Sequence, residues 1–311
     1  MSSVTLVPEI ALAEADDIDG ADAAETLSTL SIGELLKESF ERFRYADGFT
    51  YARSLAFQSV MAIIPGVIFI VALAVRAGEG QLQSILRAMI ESLAPGPAGD
   101  IFLEAFSQGA QNGSSGNLIA IMAGALAMLI GATAGMAQLQ RGASRIYGVD
   151  VDRPTLKRYG LALGLTLSVG VLMALAFLLT ALGGSVAGYF QDELAAVWRW
   201  ARWPTGLVLL TVAFSILYRI VPNRKQPASS WLAVGSGIGV VGWFSVSVGL
   251  ALYFNASSSF GQTYGPLAGV IGIMLWSQLS AIAIFYGLAF AAQLEAERAG
   301  VTEPREDQGQ S

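Results

Sequence analysis

The chain has 311 residues, 54% of them hydrophobic and only 14% charged, far to the apolar side of a water-soluble domain, so lipid has to be the solvent for much of it. It contains neither cysteine nor histidine, which excludes disulfides, thiolate or imidazole metal sites, and Cys-His or Ser-His-Asp nucleophile systems; no catalytic residue, metal or cofactor is expected. The net charge of −6 is unevenly placed: Glu9, Glu14, Asp16, Asp17, Asp19, Asp22 and Glu25 all precede residue 30, with no base among them.

Residues 1–30, poor in aromatics and rich in like charge, are therefore expected as a disordered acidic cytoplasmic tail. They lack the basic start and apolar run of a secretory signal, which leaves insertion to the first span. Next, Ser31 and Glu34 have the spacing of a capping box, and Ile32, Leu35, Leu36, Phe40 and Phe43 keep one apolar face. This predicts an amphipathic helix lying at the cytoplasmic interface.

Six stretches are then apolar for the roughly 17 to 25 residues that a helix needs to cross the hydrocarbon. They lie near 55–75, 118–137, 159–188, 205–221, 232–254 and 267–292, within a membrane domain over 31–297, followed by a short cytoplasmic tail over 298–311. The fold class is thus all-α and polytopic, with six transmembrane helices. Pro65 and Gly66 read as a helix break in the first span, and Gly183 and Gly184 as a bend in the long third one. Between the first two spans, an apolar stripe from Leu82 to Leu93 ends at Pro95-Gly96-Pro97. Ile101, Phe102, Ala105 and Phe106 follow Asp100, which together predict an outer helical hairpin.

Bases set the orientation, because cytoplasmic flanks retain positive charge during insertion. Lys37, Arg42, Arg44 and Arg53 precede the first span, and Arg141, Arg145, Arg153, Lys157 and Arg158 follow the second. Arg219, Arg224 and Lys225 follow the fourth, and Arg298 and Arg305 lie in the tail. Only Arg76, Arg87, Arg199 and Arg202 of the 18 bases fall on the other side, so both termini are expected in the cytoplasm.

Within the spans, glycines recur four apart at Gly131 and Gly135, Gly160 and Gly164, Gly184 and Gly188, Gly235 and Gly239, and Gly265 and Gly269. That spacing lets helix backbones approach, and packing inside the bundle explains it better than a dedicated dimer face. Ser236, Ser245 and Ser247 keep a claim on a polar path. Every acid from Asp47 to Glu295 is assigned to a loop or an interface, which argues against a carboxylate proton relay; Gln58, Gln138, Gln278 and Gln293 are expected to hydrogen-bond neighbouring helices. Arg141 and Arg145 lie one turn apart beside Tyr147, and Arg219 ends its helix near Pro222. These four residues are the candidate site for a phosphate or phospholipid headgroup, although plain positive-inside anchoring accounts for the same bases.

Four separated motifs carry a family resemblance. Arg53-Ser54-Leu55-Ala56-Phe57 leading to Pro65, Arg145-Ile146-Tyr147-Gly148 followed by Arg153-Pro154 and Lys157-Arg158, Leu217-Tyr218-Arg219 to Pro222-Asn223, and Thr263-Tyr264-Gly265 to Leu275-Trp276 together resemble the YihY/BrkB family over about Ser39 to Glu297. The chain departs at Ala292-Gln293, where that family commonly reads Ala-Glu. The resemblance implies a six-span bacterial inner-membrane protein, associated with serum resistance and tolerance of altered lipopolysaccharide precursors, and hence with envelope lipids. The family's historical ribonuclease label does not suit these residues. No histidine is present, the acids are scattered, and the bases hug the membrane rather than forming a nucleic-acid surface.

Two readings stay open: a transporter or translocase for a lipid or lipid-linked envelope component, and a non-transporting membrane scaffold or assembly factor. Neither is an enzyme. Membrane lipids, anionic headgroups among them, are the expected partners, with a second copy or another membrane protein also open and nucleic acid not expected.

Overall fold

The computed structural model describes residues 7, 8, 10, 31–77, 104, 118–187, 192–224, 229–256, 264, 267–300, 303 and 304. Among these the protein is all helical: α1 (Ile32–Tyr45), α2 (Gly48–Ala77), α3 (Leu118–Ile146), α4 (Thr155–Ala187), α5 (Asp192–Ile220), α6 (Ser229–Ala256) and α7 (Leu267–Arg298). The six helices α2 to α7 are long and apolar enough to cross a membrane. The expected outer hairpin lies outside the described residues, apart from Glu104.

Each span packs against its neighbours in chain order, and α7 returns to α2, so the six close into a ring. The α4–α5 pair meets the rest chiefly through α3 and α6. The most enclosed helix is α7, buried along its length from Ala268 to Ala296, and α1 packs on its last turns. The start of the first span and the end of the last therefore share one end of the bundle. That end also holds the α3–α4 and α5–α6 connections and most of the arginines, and is called the basic end below.

Hydropathy alone underestimates the helices, because turns beyond the hydrocarbon are polar but still hydrogen-bonded. The clearest case is α5, which begins at Asp192 and not near Thr205, passing Pro204 without ending. Likewise Pro65 and Gly66 do not break α2. The helix is continuous through both, and Gly66 lies close to Met128 of α3. A proline removes one hydrogen bond, a loss that packing of the long helix against α3 tolerates.

The entry into α2 is fixed by a tight turn. Asp47 adopts φ 55, and a side chain on Gly48 would run into the Phe43 ring 2.3 Å away. Phe43 and Phe49 meet edge to face with ring centroids 4.8 Å apart. Ser31 caps α1 without a side-chain hydrogen bond, so the expected capping box does not form. The apolar face of α1 also divides. Leu35 and Phe43 are buried together with Ser39 and Arg42, whereas Ile32, Leu36 and Phe40 remain exposed.

The glycine pairs divide in the same way. A Cβ on Gly131 would lie 2.9 Å from the Ala62 backbone, and one on Gly287 would lie 2.6 Å from the Tyr218 hydroxyl and 2.7 Å from the Gly235 carbonyl. Gly235 and Gly239 thus form a backbone seam with α7, closed by Tyr218, whose hydroxyl donates to the Ile284 carbonyl at 2.7 Å. By contrast, a Cβ on Gly160 or Gly164 would meet nothing within 4 Å, so this pair does not pack against another helix. Gly287→Val should therefore lower the detergent melting temperature sharply, at an overpacking cost of about 1–3 kcal/mol. Gly164→Ala should leave it unchanged or raise it.

Candidate functional site

The basic end is built around charged side chains that the fold buries. Arg42 comes from the inner face of α1 and is fully enclosed. Its Nε donates to Gln293 Oε1 at 2.7 Å and its Nη1 to the Ile146 carbonyl at 3.3 Å, so one guanidinium joins α1 to α7 and to the end of α3. Nη2 makes no hydrogen bond. Burial holds the Arg42 pKa down to about 10, although Tyr147, Glu295 and Glu297 nearby favour its charge. The Gln293 amide donates in turn to Glu38 at 3.3 Å and to Glu297 at 2.9 Å. Burial, reinforced by Glu297, raises the Glu38 pKa.

A second cluster shares this neighbourhood. Arg224, just past α5, pairs with Glu295 of α7, and its guanidinium lies 4.5 Å from the Tyr147 ring centroid. Its Nη1 also donates to the Ile10 carbonyl at 3.3 Å, while the Ile10 amide donates to the Tyr147 carbonyl at 3.4 Å. Val7 and Ile10 are buried in the same apolar cluster as Tyr147 and Val221. This short stretch of the expected disordered tail is therefore part of the fold.

A third cluster clasps α5. The last carbonyls of a helix have no partner within the helix. Here Arg153 donates at 3.1 Å to the carbonyl of Ile220, the last residue of α5, at 2.7 Å to those of Val221 and Pro222 just past it, and at 3.1 Å to Gln140 Oε1. The Asn223 amide donates to Ser144 Oγ at 3.1 Å. Beside it, α3 ends in a Schellman turn. Gly148 has φ 76, with Gly148 N–H bonded to the Arg145 carbonyl and Val149 N–H to that of Ser144.

The four residues singled out from sequence occupy different settings. Arg145 pairs with Asp150 at 2.7 Å, and Arg141 lies 3.8 Å from Asp152. Arg219 is exposed on the last turn of α5. Tyr147 is wholly enclosed beneath Arg224, which does not suit a place at the rim of an open site. The contacts that tie the α3 and α5 ends together run instead through Arg153, Ser144 and Asn223. Sequence reasoning treated Arg42, Arg153 and Arg224 as topological bases and Glu295 as an interfacial acid. For two of them a signal existed. Arg42 follows Leu35 and Ser39 on one helical face, and Glu295 continues the row Ala281, Phe285, Leu288, Ala292 at alternating spacings of four and three.

Fold and site together define a six-span helical membrane protein whose basic end is held by buried ionic clasps. The chain belongs to the Virulence factor BrkB family, whose model matches residues 39–310. It is 28% identical over 258 residues to the Bacillus subtilis (strain 168) protein YfkH, whose name calls it ribonuclease-like, covering 81% of this chain and 92% of that one. A UPF0761 membrane protein of Alteromonas mediterranea is 29% identical over 55% of this chain and 58% of its own length. Another, of Stenotrophomonas maltophilia, is 26% identical over 87% of this chain and 64% of its own. The matched stretches thus cover less than two thirds of the length of these two UPF0761 relatives. No solved structure matches it.

Two outcomes test the clasps. Glu295→Ala strands the Arg224 guanidinium, which should cost about 3–5 kcal/mol, and adding Arg224→Met should recover much of it; a melting series in detergent reads both. Folded Glu38 keeps its proton to higher pH than a free carboxyl, so stability from this group rises as pH falls through its folded pKa toward the ordinary carboxylate value. Glu38→Gln should raise the melting temperature at about pH 7.5 and reduce its gain on going to about pH 5.5.

Proposed function

We propose that the chain is a transporter or translocase that moves a lipid or lipid-linked envelope component across the bacterial inner membrane, with its basic end in the cytoplasm. The observation that carries this reading is a set of enclosed hydroxyls on three of the spans. The hydroxyls of Thr133 of α3, Thr166 of α4 and Ser277 and Ser280 of α7 are enclosed, yet make no hydrogen bond. Elsewhere in the spans, Ser59, Ser168, Thr211 and Ser245 satisfy themselves on the carbonyl four residues back. Hydroxyls left free of that habit offer hydrogen bonds to a polar group passing between helices. The excess of bases at one end supports the orientation.

A nuclease would need histidine or clustered carboxylates. The sequence has no histidine, and among the described residues no three His, Cys, Asp or Glu side chains are grouped to hold a metal. We therefore read the chain as non-enzymatic. The alternative, a membrane scaffold, draws on the tight α6–α7 seam and the buried ion pair, which suit a rigid body. In the transport reading, Arg141, Arg145 and Arg219 receive an anionic headgroup, with Asp150 and Asp152 holding the first two arginines until it arrives.

The test is lipid transfer in proteoliposomes containing fluorescent anionic phospholipid. The unaltered chain should accelerate movement between leaflets, and Thr133→Val with Ser280→Ala should slow it roughly threefold or more, the scale of a lost hydrogen bond, without changing stability. Arg→Lys changes at Arg141, Arg145 and Arg219 should keep insertion and reduce co-purified anionic lipid, because lysine lacks the planar fork. A chain that folds and inserts but moves no lipid would favour the scaffold.

A further inference from the structure

Residues 7 to 10 precede the segment that matches the family, yet they are seated in its core at the basic end. Both polar groups of the Ile10 backbone are used: the amide on the Tyr147 carbonyl and the carbonyl on Arg224. Val7 and Ile10, 2% and 3% exposed, enter the apolar cluster on either side of Pro8 and Glu9. Main-chain hydrogen bonds together with buried apolar side chains are how a short peptide segment is held in a groove.

The place it occupies also matters. Tyr147, which bonds Ile10, directly follows Ile146, whose carbonyl accepts from Arg42. Arg224, which bonds Ile10, also holds Glu295. The segment therefore lies over the junction where the two buried guanidiniums are placed. In sequence, its link to α1 carries Glu14, Asp16, Asp17, Asp19, Asp22 and Glu25 with no base among them.

We propose that the ends of α3, α5 and α7 form a docking seat for a short apolar peptide, and that the segment of this same chain carrying Val7 and Ile10 is its occupant, an intramolecular strap. Docked, the strap closes the Arg42–Arg224 junction and fixes Arg224 across Tyr147. Released, it bares an arginine and an apolar seat at the basic end. Among the described residues, two main-chain hydrogen bonds and the side chains of Val7 and Ile10 hold it, few enough for binding to be reversible, whereas the helices around it are held by whole seams.

The chain has no cysteine, so one introduced thiol reports alone. In the purified full chain, Val7→Cys should react with maleimide at least about tenfold more slowly than Lys37→Cys, which sits on the exposed side of α1. An excess of synthetic peptide with the sequence of residues 4–13 should compete with the strap and bring the Val7→Cys rate toward that of Lys37→Cys. Adding Ile10→Ser to Val7→Cys should do the same without peptide, at an unchanged melting temperature. A Val7→Cys thiol as reactive as Lys37→Cys from the start would show that the segment is not seated. Protection that neither peptide nor Ile10→Ser relieves would show that it is a fixed part of the core and not a strap. Either result overturns the proposal.

Discussion

The basic end depends on one buried guanidinium. Arg42 is at once the inner face of α1, the partner of Gln293 near the end of the last span, and a cap on the final carbonyl of α3. An arginine in such a place is costly unless its donors are used, and two of its three nitrogens are. That requirement determines the rest. Gln293 must present its carbonyl oxygen to Arg42, so its amide turns to Glu38 and Glu297, and the two acids are drawn together. Burial and the nearness of Glu297 then raise the Glu38 pKa, so the charge state of the surface follows from the geometry of the core.

The same logic explains why arginines, and not lysines, hold the helix ends. A helix ending in lipid-flanked protein has several carbonyls without partners, spread over an arc that a point charge cannot cover. Arg153 meets the carbonyl of Ile220 at the end of α5 and those of the next two residues with one planar fork, and still reaches Gln140. Burial lowers its pKa, a cost that the four acceptors offset. Arg224 combines an ion pair, an aromatic face and a main-chain carbonyl in one side chain. Positive charge at this end is therefore structural as well as topological.

The spans were legible because hydrophobic length is a property of the chain itself: a run long enough to cross lipid has few other uses. Their true ends were not, since Asp192 and its neighbours look like loop residues until the helix is seen to continue through them. The clasps were hidden for a related reason. All fourteen bases that the sequence assigns to the cytoplasmic side satisfy the orientation rule equally, so composition cannot separate Arg42 or Arg153, which are engaged by several partners, from Arg219, which is exposed. Helical spacing can do so in part, because a polar residue in register with an apolar row is placed where water is not. Glu295 is such a residue. The strap was less accessible still, since Val7 and Ile10 form no period long enough to stand out against the acids that follow.

Tight and loose contacts are not scattered through the ring. The seams where a side chain would collide with backbone, Gly131 on Ala62 and Gly235 on Gly287, join α3 to α2 and α6 to α7, and α7 in turn packs on α2. These four helices form a body whose parts cannot slide without opening a backbone contact. The α4–α5 pair is different. Gly160 and Gly164 on α4 face open space, and between Thr155 and Ala176 the buried residues of α4 are the row Arg158, Ala162, Leu165, Val169 and Ala176. At the basic end the pair is held by specific polar contacts, Arg153 on the end of α5 and Gln140 of α3 on the Arg158 carbonyl at 3.1 Å, and α5 also by Tyr218, buried in the α6–α7 seam. A narrow apolar stripe permits rotation, and a clasp at one end supplies a pivot. If the ring opens, these contacts make α4 the helix freest to move and the basic end the point about which it turns.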